Sequence, residues 1–356
     1  MMFYYNDTNM KRKATWLCLS LLAGTTLWAQ APEKTGVESI NRKTAEAYGV
    51  NSINRLTAEA HIGFLASDDL QGREAGWQGG RVAGEYIAST LMALGIQPVG
   101  DSYFHPFEAY HAERQKKGQR WQVEPDSIAK LKEVVHQKLD MRNVLGMIEG
   151  KNPNEIVIVG AHYDHLGYDP MLDGDQIYNG ADDNASGVSA VLQIARAFLA
   201  TGVQPERTVI FAFWDGEEKG LLGSRAFAQS FPDINKVKGY LNFDMIGRNN
   251  DEANPEGVVY FYTQAHPTFE KWLKDDIKEY GLKLKPDYRA WDNPVGGSDN
   301  GTFAKLGIPI IWYHTNGHPD YHLPSDHADK INWDKVVDIT KASFLNIWNM
   351  ANEKDF

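Results

Sequence analysis

Acidic and imidazole side chains gather in this sequence at the ends of apolar runs and in two loops. Carboxylates brought together in a partly buried site repel one another strongly unless a cation lies between them. A mixture of imidazole and carboxylate, without thiolate, suits zinc in a catalytic rather than a structural site. The sequence therefore predicts a catalytic zinc centre. The groups concerned are His162, Asp164, His165, Asp215, Glu217, Glu218 and Asp244 at run ends, and the loops NGADDNASG (179–187) and HPDYHLPSDH (318–327).

Glu217 and Glu218 stand side by side in the turn DGEE. Neighbouring side chains leave an extended backbone in opposite directions, and a turn does not bring them together. One glutamate can therefore bind metal while the other stays free to accept a proton. His162 and Asp164 are two positions apart in a predicted strand and point to one side, so Asp164 can accept the second ring N–H of His162. The alternative is that Asp164 only caps a turn.

Apolar runs of strand type alternate with helix-like segments from residue 62 onward. Continuous apolar strands are typical of a sheet covered on both faces. We therefore predict an α/β three-layer sandwich, with a mostly parallel central sheet and helices on both faces. Ligands of such sheets bind at the carboxyl ends of the strands. The predicted strands are 143–148, 156–163, 208–214, 239–247, 257–263 and 308–314, and the predicted helices are 80–95, 186–200, 219–231, 266–281 and 334–352.

The N-terminus has the pattern of a cleavable export signal. The basic KRK at 11–13 precedes the apolar ATWLCLSLLAGTTLWA, and AQA at 29–31 is a small-x-small cleavage site. We predict a signal peptide over 1–31 and an exported protein, periplasmic or extracellular, with no membrane anchor after cleavage. The only cysteine, Cys18, lies inside this segment, so the mature chain would have no disulfide. The formal net charge of -11 argues against a nucleic-acid partner.

A short tandem repeat follows the signal segment. Residues 36–48, GVESINRKTAEAY, recur almost unchanged at 49–61 as GVNSINRLTAEAH. Two copies are too few for a solenoid. We predict a helical extension over 32–61, in which the first copy is loose and the second packs on the domain. A single catalytic domain is predicted over 62–356, with a charged surface excursion at 105–140.

Six separated motifs together resemble the co-catalytic di-zinc aminopeptidases, a superfamily that also includes glutamate carboxypeptidases and glutaminyl cyclases. The resemblance covers roughly residues 60–350. The motifs occur in the family's order and at fitting separations, which is far more specific than any one of them. They are GAHYDH, NGADDNASG, FWDGEEKGLLGS, NFDMIG, GGSDN and DYHLPSDH.

The resemblance implies two zinc ions per chain and a role for each matching ligand. His162 and Asp244 would hold one ion. Glu218 and His322 would hold the other, and Asp183 would bridge the two. The three carboxylates of this set balance the charge of two Zn²⁺ ions and a bridging hydroxide. Family members also often have a cis peptide bond just after the bridging residue.

The resemblance also assigns catalytic and supporting residues. Glu217 would take a proton from the bridging water, which the zinc pair activates, and pass it to the leaving amine. Tyr321 resembles a tyrosine that steadies the tetrahedral oxyanion, although simple packing is the alternative. Asp299 would support the final ligand loop through hydrogen bonds, and Asn300 stands where family members often have histidine. The surplus polar residues, which we interpret as supporting or surface groups, are His165, Asp182, His314, His318, Asp326 and His327.

The predicted function is that of an exported zinc aminopeptidase acting on peptide substrates, with no protein partner implied. A glutaminyl-peptide cyclotransferase with a single zinc is the runner-up, although the loop ADDNASG favours the peptidase. Carboxypeptidase action stays open, because the sequence marks no pocket for a substrate carboxylate or amine. A binding protein that has lost its chemistry is disfavoured, because the ligands and the base are all present.

Overall fold

The structure is a computed structural model, and it describes residues 41–113, 120–291 and 296–356. The predicted signal peptide, 1–31, lies outside these ranges. Within them, no helix combines the length and apolar character that crossing a membrane requires. The α-helices are α1 (Arg42–Ser52), α2 (Arg55–Leu65), α3 (Gln78–Leu94), α4 (Pro125–Leu131), α5 (Gly187–Ala200), α6 (Leu222–Ser230), α7 (Thr268–Tyr280), α8 (Asn300–Ala304) and α9 (Trp333–Asn352).

Most of the described strands join one nine-stranded sheet, and β5 and β6 form a separate ribbon. The strands are β1 (Gln97–Pro98), β2 (Phe104–Ala112), β3 (His136–Ile148), β4 (Asn152–His162), β5 (Gly167–Tyr168), β6 (Ile177–Tyr178), β7 (Arg207–Trp214), β8 (Val237–Phe243), β9 (Gly257–Thr263), β10 (Lys285–Trp291) and β11 (Ile310–His314).

Four parallel strands form the centre of the large sheet, in the spatial order β7, β4, β8, β11. On one side β3 pairs antiparallel with β7. On the other side β9 pairs antiparallel with β11, and β10 runs parallel to β9. The predicted α/β sandwich around a mostly parallel central sheet is confirmed. Parallel neighbours end at the same edge, so residues that follow them are brought together.

Alternate side chains of the central strands enter two separate apolar cores. On β4, Val157 and Val159 belong to the core that includes α5 and α9. Ile156 and Ile158 belong to the opposite core, where they pack with aromatic side chains such as Phe227 of α6. A strand covered on both faces needs apolar residues at every position. That requirement explains the continuous apolar runs in the sequence.

The predicted surface excursion at 105–140 contains regular structure, because its described residues include most of β2 and the start of β3, which extend the sheet. β2 pairs antiparallel with the first part of β3 along its whole length. This ribbon is only partly buried, and it carries exposed ion pairs such as Lys138 with Glu108 at 3.0 Å. Strands with solvent on one face alternate polar and apolar residues. The ribbon therefore lacks the apolar run by which the central strands are recognised.

The described part of the tandem repeat, residues 41–61, forms two capped helices, and the expectation that the first copy is loose is wrong for its residues 41–48. The side chain of Asn41 accepts the backbone N–H three residues further on at 2.9 Å and so caps α1. Asn54 caps α2 in the same way at 3.0 Å. The equivalent residues Ala45 and Ala58 are both fully buried. Both helices contact α5, so the described residues of both copies pack on the domain.

Candidate metal centre

The five predicted metal ligands meet at the carboxyl edge of the central strands. His162 ends β4, Asp244 directly follows β8, and Glu218 lies in the turn after β7. Asp183 lies in the helical turn that precedes α5, and His322 lies in the loop that follows β11. The topology therefore gathers residues that are up to 160 positions apart in the sequence.

Asp183 divides its two carboxylate oxygens between two groups of side chains. Its Oδ1 lies 3.3 Å from Nε2 of His162, and that nitrogen is 3.6 Å from Oδ1 of Asp244. Its Oδ2 lies 3.2 Å from Nε2 of His322, and that nitrogen is 3.2 Å from Oε2 of Glu218. Each group presents one imidazole nitrogen and oxygens of two carboxylates.

These separations fit zinc. Ligand atoms at about 2.0–2.1 Å from a tetrahedral zinc ion lie about 3.3 Å from one another. In the described part of the chain, Nε2 of His162 is buried and has no hydrogen-bond partner. Buried polar atoms are rarely left unpaired, so a nitrogen aimed at two carboxylates in this way is suited to a metal. The residues present therefore fit the predicted ion.

His165 is a third imidazole at this centre, although the sequence interpretation set it aside as surplus. Its Nδ1 lies 2.8 Å from Oε1 of Glu218 and 3.8 Å from Oδ2 of Asp183. These three residues also offer ligand atoms that all lie within 4.8 Å of one another. His165 is visible in the motif GAHYDH. The sequence interpretation left it out of the metal ligands only because the five ligands implied by the resemblance were already assigned.

The clustered carboxylates create a negative field at the imidazoles. Burial alone would lower the pKa of His162, but the surrounding carboxylates, with Asp164 the largest contributor, raise it well above its usual value. Burial alone would raise the pKa of Asp183, but the surrounding histidines, with His165 the largest contributor, hold it well below its usual range. A site that holds protons so firmly on imidazole also attracts metal cations.

Asp164 supports the turn that carries both glutamates. Its Oδ1 accepts the backbone N–H of Glu217 at 3.0 Å, and its Oδ2 accepts that of Glu218 at 3.4 Å. Nδ1 of His162 lies 3.2 Å from the backbone oxygen of Asp164 and 3.7 Å from its carboxylate. The carbonyl oxygen of Asp164 therefore lies closer to this ring nitrogen than the predicted carboxylate does. The carboxylate has the turn-capping role that was the alternative, because two N–H groups converge on it.

Glu217 lies beside the centre and belongs to neither group of ligands. Its partly buried side chain lines a cavity of about 490 Å³ together with Tyr321 and His322. Burial and the carboxylates of Asp244 and Asp299 raise the pKa of Glu217 well above its usual value. A carboxylate in this environment is suited to accept a proton and to give it back.

Tyr321 lies at the same cavity. Its side chain is 45% exposed, and its ring stacks on that of His322 with 3.9 Å between the centroids. The residue therefore packs against a predicted ligand, as the alternative reading held. It also borders the cavity, as the predicted role requires.

Asp299 does not make the hydrogen bonds expected of it. It is fully buried, and within the described ranges neither of its carboxylate oxygens has a hydrogen-bond partner. Burial, together with nearby carboxylates such as Asp164, raises its pKa to about 7. The final ligand loop is instead held by the ion pair of Arg248 with Asp320 at 2.7 Å.

Asp182 and Asp326 hold the loop that carries Asp183, in agreement with their structural interpretation. Oδ2 of Asp326 accepts the backbone N–H of Asp182 at 2.9 Å and that of Asp183 at 3.1 Å. Oδ1 of Asp182 accepts the N–H of Gly247 at 2.5 Å. The peptide bond between Asp183 and Asn184 is cis, as the family resemblance implied.

Arg73 is a supporting residue that the sequence interpretation missed. It is fully buried, and burial lowers its pKa to about 10 against the opposing effect of the Asp183 carboxylate. The Arg73 charge is therefore close to the acidic centre. Its hydrogen bonds also connect backbone segments that are distant in the sequence. No local pattern around QGREAG signals this role. Its guanidinium donates hydrogen bonds of 2.6–2.9 Å to the backbone oxygens of Leu65, Tyr163, Asn179 and Gly180.

A protein-family model matches the part of the chain that forms this centre. The model of the family described as Peptidase family M28 matches residues 143–346, a range that contains all five predicted ligands and Glu217. The chain belongs to peptidase family M28. Because the match exceeds half of the chain, the assignment does not depend on any single motif.

Two curated relatives of this M28 chain are similar over part of their length. Leupeptin-inactivating enzyme 1 of Streptomyces exfoliatus is 34% identical over 47% of this chain and 34% of its own length. An aminopeptidase of Pseudomonas aeruginosa is 36% identical over 43% of this chain and 27% of its own length. The matched part therefore spans about a third of these relatives or less.

Solved structures share the fold of this M28 chain at low sequence identity. The LapA aminopeptidase of Legionella pneumophila is 21% identical, with a TM-score of 0.65 over 90% of this chain and 78% of its own. A glutaminyl cyclase of Fimbriiglobus ruber is 18% identical, with a TM-score of 0.62 over 83% of this chain and 95% of its own. The shared fold therefore does not by itself separate peptidase from cyclase.

Proposed function

We propose that this chain is a zinc aminopeptidase that releases N-terminal residues from peptides with the help of two zinc ions. One observation carries the proposal. Asp183 directs one oxygen to each of two imidazole–carboxylate groups, and Glu217 stays free beside them. Membership of a peptidase family and the name of the Pseudomonas aeruginosa relative support it. Export is also proposed, on the signal-like sequence of residues 1–31 alone.

The five ligands would divide between the two ions. His162 and Asp244 would hold one, Glu218 and His322 would hold the other, and Asp183 would contribute to both. When bound, zinc lowers the pKa of a water molecule toward neutrality and polarises the scissile carbonyl. His165, which lies 2.8 Å from Glu218, would orient that carboxylate through a hydrogen bond.

Glu217 is the proposed general base. It takes the proton of the attacking water and returns it to the leaving amine, so one carboxylate serves both transfers. Asp164 fixes the backbone of this residue through its N–H and thereby positions the carboxylate. Tyr321 is the proposed donor to the oxyanion of the tetrahedral intermediate. One donor of this kind stabilises a transition state by about 2.7–4 kcal/mol.

The test is Glu217→Gln, which removes the base and keeps the shape of the side chain. We expect hydrolysis of an aminoacyl anilide to fall by about 10²–10⁴-fold. The zinc content per chain, measured by atomic absorption, should stay that of the unaltered protein. Glu133→Gln, at an exposed glutamate between β2 and β3, is the matched control and should leave both quantities unchanged.

Two results would contradict the proposal. Full activity in Glu217→Gln would remove the base from the mechanism. Loss of zinc in that variant would mean that the roles of Glu217 and Glu218 are exchanged. Assays on N-blocked and N-terminal glutaminyl peptides, with and without a chelator, separate the alternatives. Cleavage of N-blocked peptides indicates a carboxypeptidase, and cyclisation with a single zinc per chain indicates a glutaminyl cyclotransferase.

A further inference from the structure

Arg120 is an exposed residue at the cavity that Glu217 lines. It lines this cavity of about 490 Å³ together with the glutamate turn and His322. Its Cδ is 3.9 Å from the position that a Cβ on Gly220 would occupy, so the side chain lies across the turn that follows the two glutamates. Arg120 belongs to the connection between β2 and β3. That segment therefore contributes a charged group to the catalytic cavity.

The backbone next to Arg120 is anchored to β2. Gln122 exchanges two backbone hydrogen bonds with Tyr110, at 2.8 and 2.9 Å. The side-chain amide of Gln122 also donates to the carbonyl of Arg120 at 3.0 Å. The ring of Trp121 packs on that of His111, with 5.1 Å between the centroids. The exposed residue Arg120 therefore reaches the cavity from a backbone segment that is hydrogen-bonded to β2.

Two other cations border the same turn, and each has its own glutamate. Lys219 pairs with Glu74 at 2.8 Å. Nε of Arg225 donates to Glu124 at 2.9 Å. Across the described ranges, no Asp or Glu carboxylate lies within ion-pair distance of the Arg120 guanidinium. Among the residues that the structure describes, this guanidinium at the cavity is therefore left without a neutralising carboxylate.

We propose that Arg120 binds a carboxylate of the substrate, an inference that rests on the proposed aminopeptidase function. The cavity is also lined by Glu217 and Glu218, which the proposed function assigns to proton transfer and to zinc. It is basic on the side of Arg120, and a guanidinium recognises a carboxylate through two parallel hydrogen bonds. Two groups of a peptide offer this chemistry. One is the acidic side chain of an N-terminal residue, and the other is the C-terminal carboxylate of a short peptide.

Two matched pairs of peptides separate these sources. The first pair compares an N-terminal glutamate with an N-terminal glutamine, both on amidated peptides. The second pair compares an alanine tripeptide with its C-terminal amide. We expect kcat/KM to be about tenfold higher for the charged member of at least one pair. Arg120→Gln should abolish that preference. Arg120→Lys should retain part of it, because lysine keeps the positive charge but cannot donate two parallel hydrogen bonds to a carboxylate.

The outcomes are distinct. A preference lost only in the first pair assigns the side-chain carboxylate, and one lost only in the second assigns the C-terminal carboxylate. Equal kcat/KM within both pairs for the unaltered protein, or a preference that survives Arg120→Gln, overturns the proposal. Arg55→Gln, at an arginine of α2 paired with Glu59 at 2.6 Å, is the control and should change neither ratio.

Failure of the aminopeptidase function gives a different result. The unaltered protein would then release no N-terminal residue from any of the four peptides. In that case calorimetric binding of the same peptides to the unaltered protein and to Arg120→Gln still decides the role of the guanidinium. Weaker binding of the charged peptides by Arg120→Gln supports it, and equal binding overturns it.

Discussion

Asp276 provides a quantitative test of the electrostatics of the helical layer. This residue of α7 is 7% exposed, and its Oδ2 accepts the side-chain N–H of Asn346 at 3.1 Å. Burial is the main cause that raises the pKa of Asp276 to about 8, and the negative charge of the Glu46 carboxylate is the second. The group is therefore protonated in the folded chain at neutral pH. In the unfolded chain, where its pKa is about 3.9, it is ionised.

The sign and size of the effect follow from this difference. Because the folded state binds the proton more tightly, the stability that Asp276 contributes is complete below about pH 4 and is lost as the pH rises toward 8. The loss approaches about 1.4 kcal/mol per pH unit. Between pH 5 and 7 it amounts to about 2.5 kcal/mol. Asp276→Asn substitutes a neutral amide of similar shape and removes this dependence.

Urea unfolding followed by circular dichroism at pH 5, 6 and 7 measures the effect. At a fixed zinc concentration, we expect the free energy of unfolding of Asp276→Asn, relative to the unaltered protein, to rise by about 2.5 kcal/mol from pH 5 to 7. The variant should be the more stable protein at pH 7. Asp275→Asn, at an exposed neighbour paired with Lys271 at 2.6 Å, is the control with a small effect at every pH.

A relative stability of Asp276→Asn that does not change with pH would refute the reasoning. A relative stability that falls as the pH rises would show that the carboxylate is ionised in the folded protein. In that event Asn346 and the nearby Lys43 would stabilise the charge more than burial destabilises it.

Two further predictions concern stability measured in urea. Arg73→Lys keeps the charge but leaves buried carbonyl oxygens without donors, and it should lower the free energy of unfolding by about 3–5 kcal/mol. A loss below about 1 kcal/mol would contradict its role. Gly49→Ala in α1 would place a methyl carbon 2.2 Å from Cζ of Phe344 and should cost about 1–3 kcal/mol. Gly63→Ala in α2, where nothing lies within 4 Å, should instead stabilise by about 0.5–1 kcal/mol, and equal effects would contradict the packing of α1.

The central elements were predictable because burial on both faces forces a continuous apolar pattern. The predicted strand at 257–263 coincides with β9, and the predicted helix at 186–200 differs from α5 by one residue. β10 was missed because it lies at the edge of the sheet and its side chains are mostly exposed, so KPDYRAW contains no apolar run. The pairing of β2 with β3 escaped for a related reason, since neither strand is fully covered there.

The proposed ligands could be named because metal binding restricts residue type, whereas the residues that support them could not. Arg73 acts through backbone oxygens from segments up to 107 positions away, and no local pattern records such contacts. Spacing placed Asp164 on the side of His162 but did not show which of its atoms would reach the ring. The backbone N–H groups that donate to the Asp164 carboxylate belong to Glu217 and Glu218, more than fifty residues later in the sequence.

The thirteen-residue duplication near the N-terminus copies a helix boundary along with the helix. Asn41 and Asn54 each begin a new helix, and the backbone at Ile53 is extended between them. Copying a segment without such a boundary would have lengthened a single helix and moved its end away from the rest of the domain. Because each copy brings its own starting residue, the duplication instead produces a second short helix, and both helices contact α5.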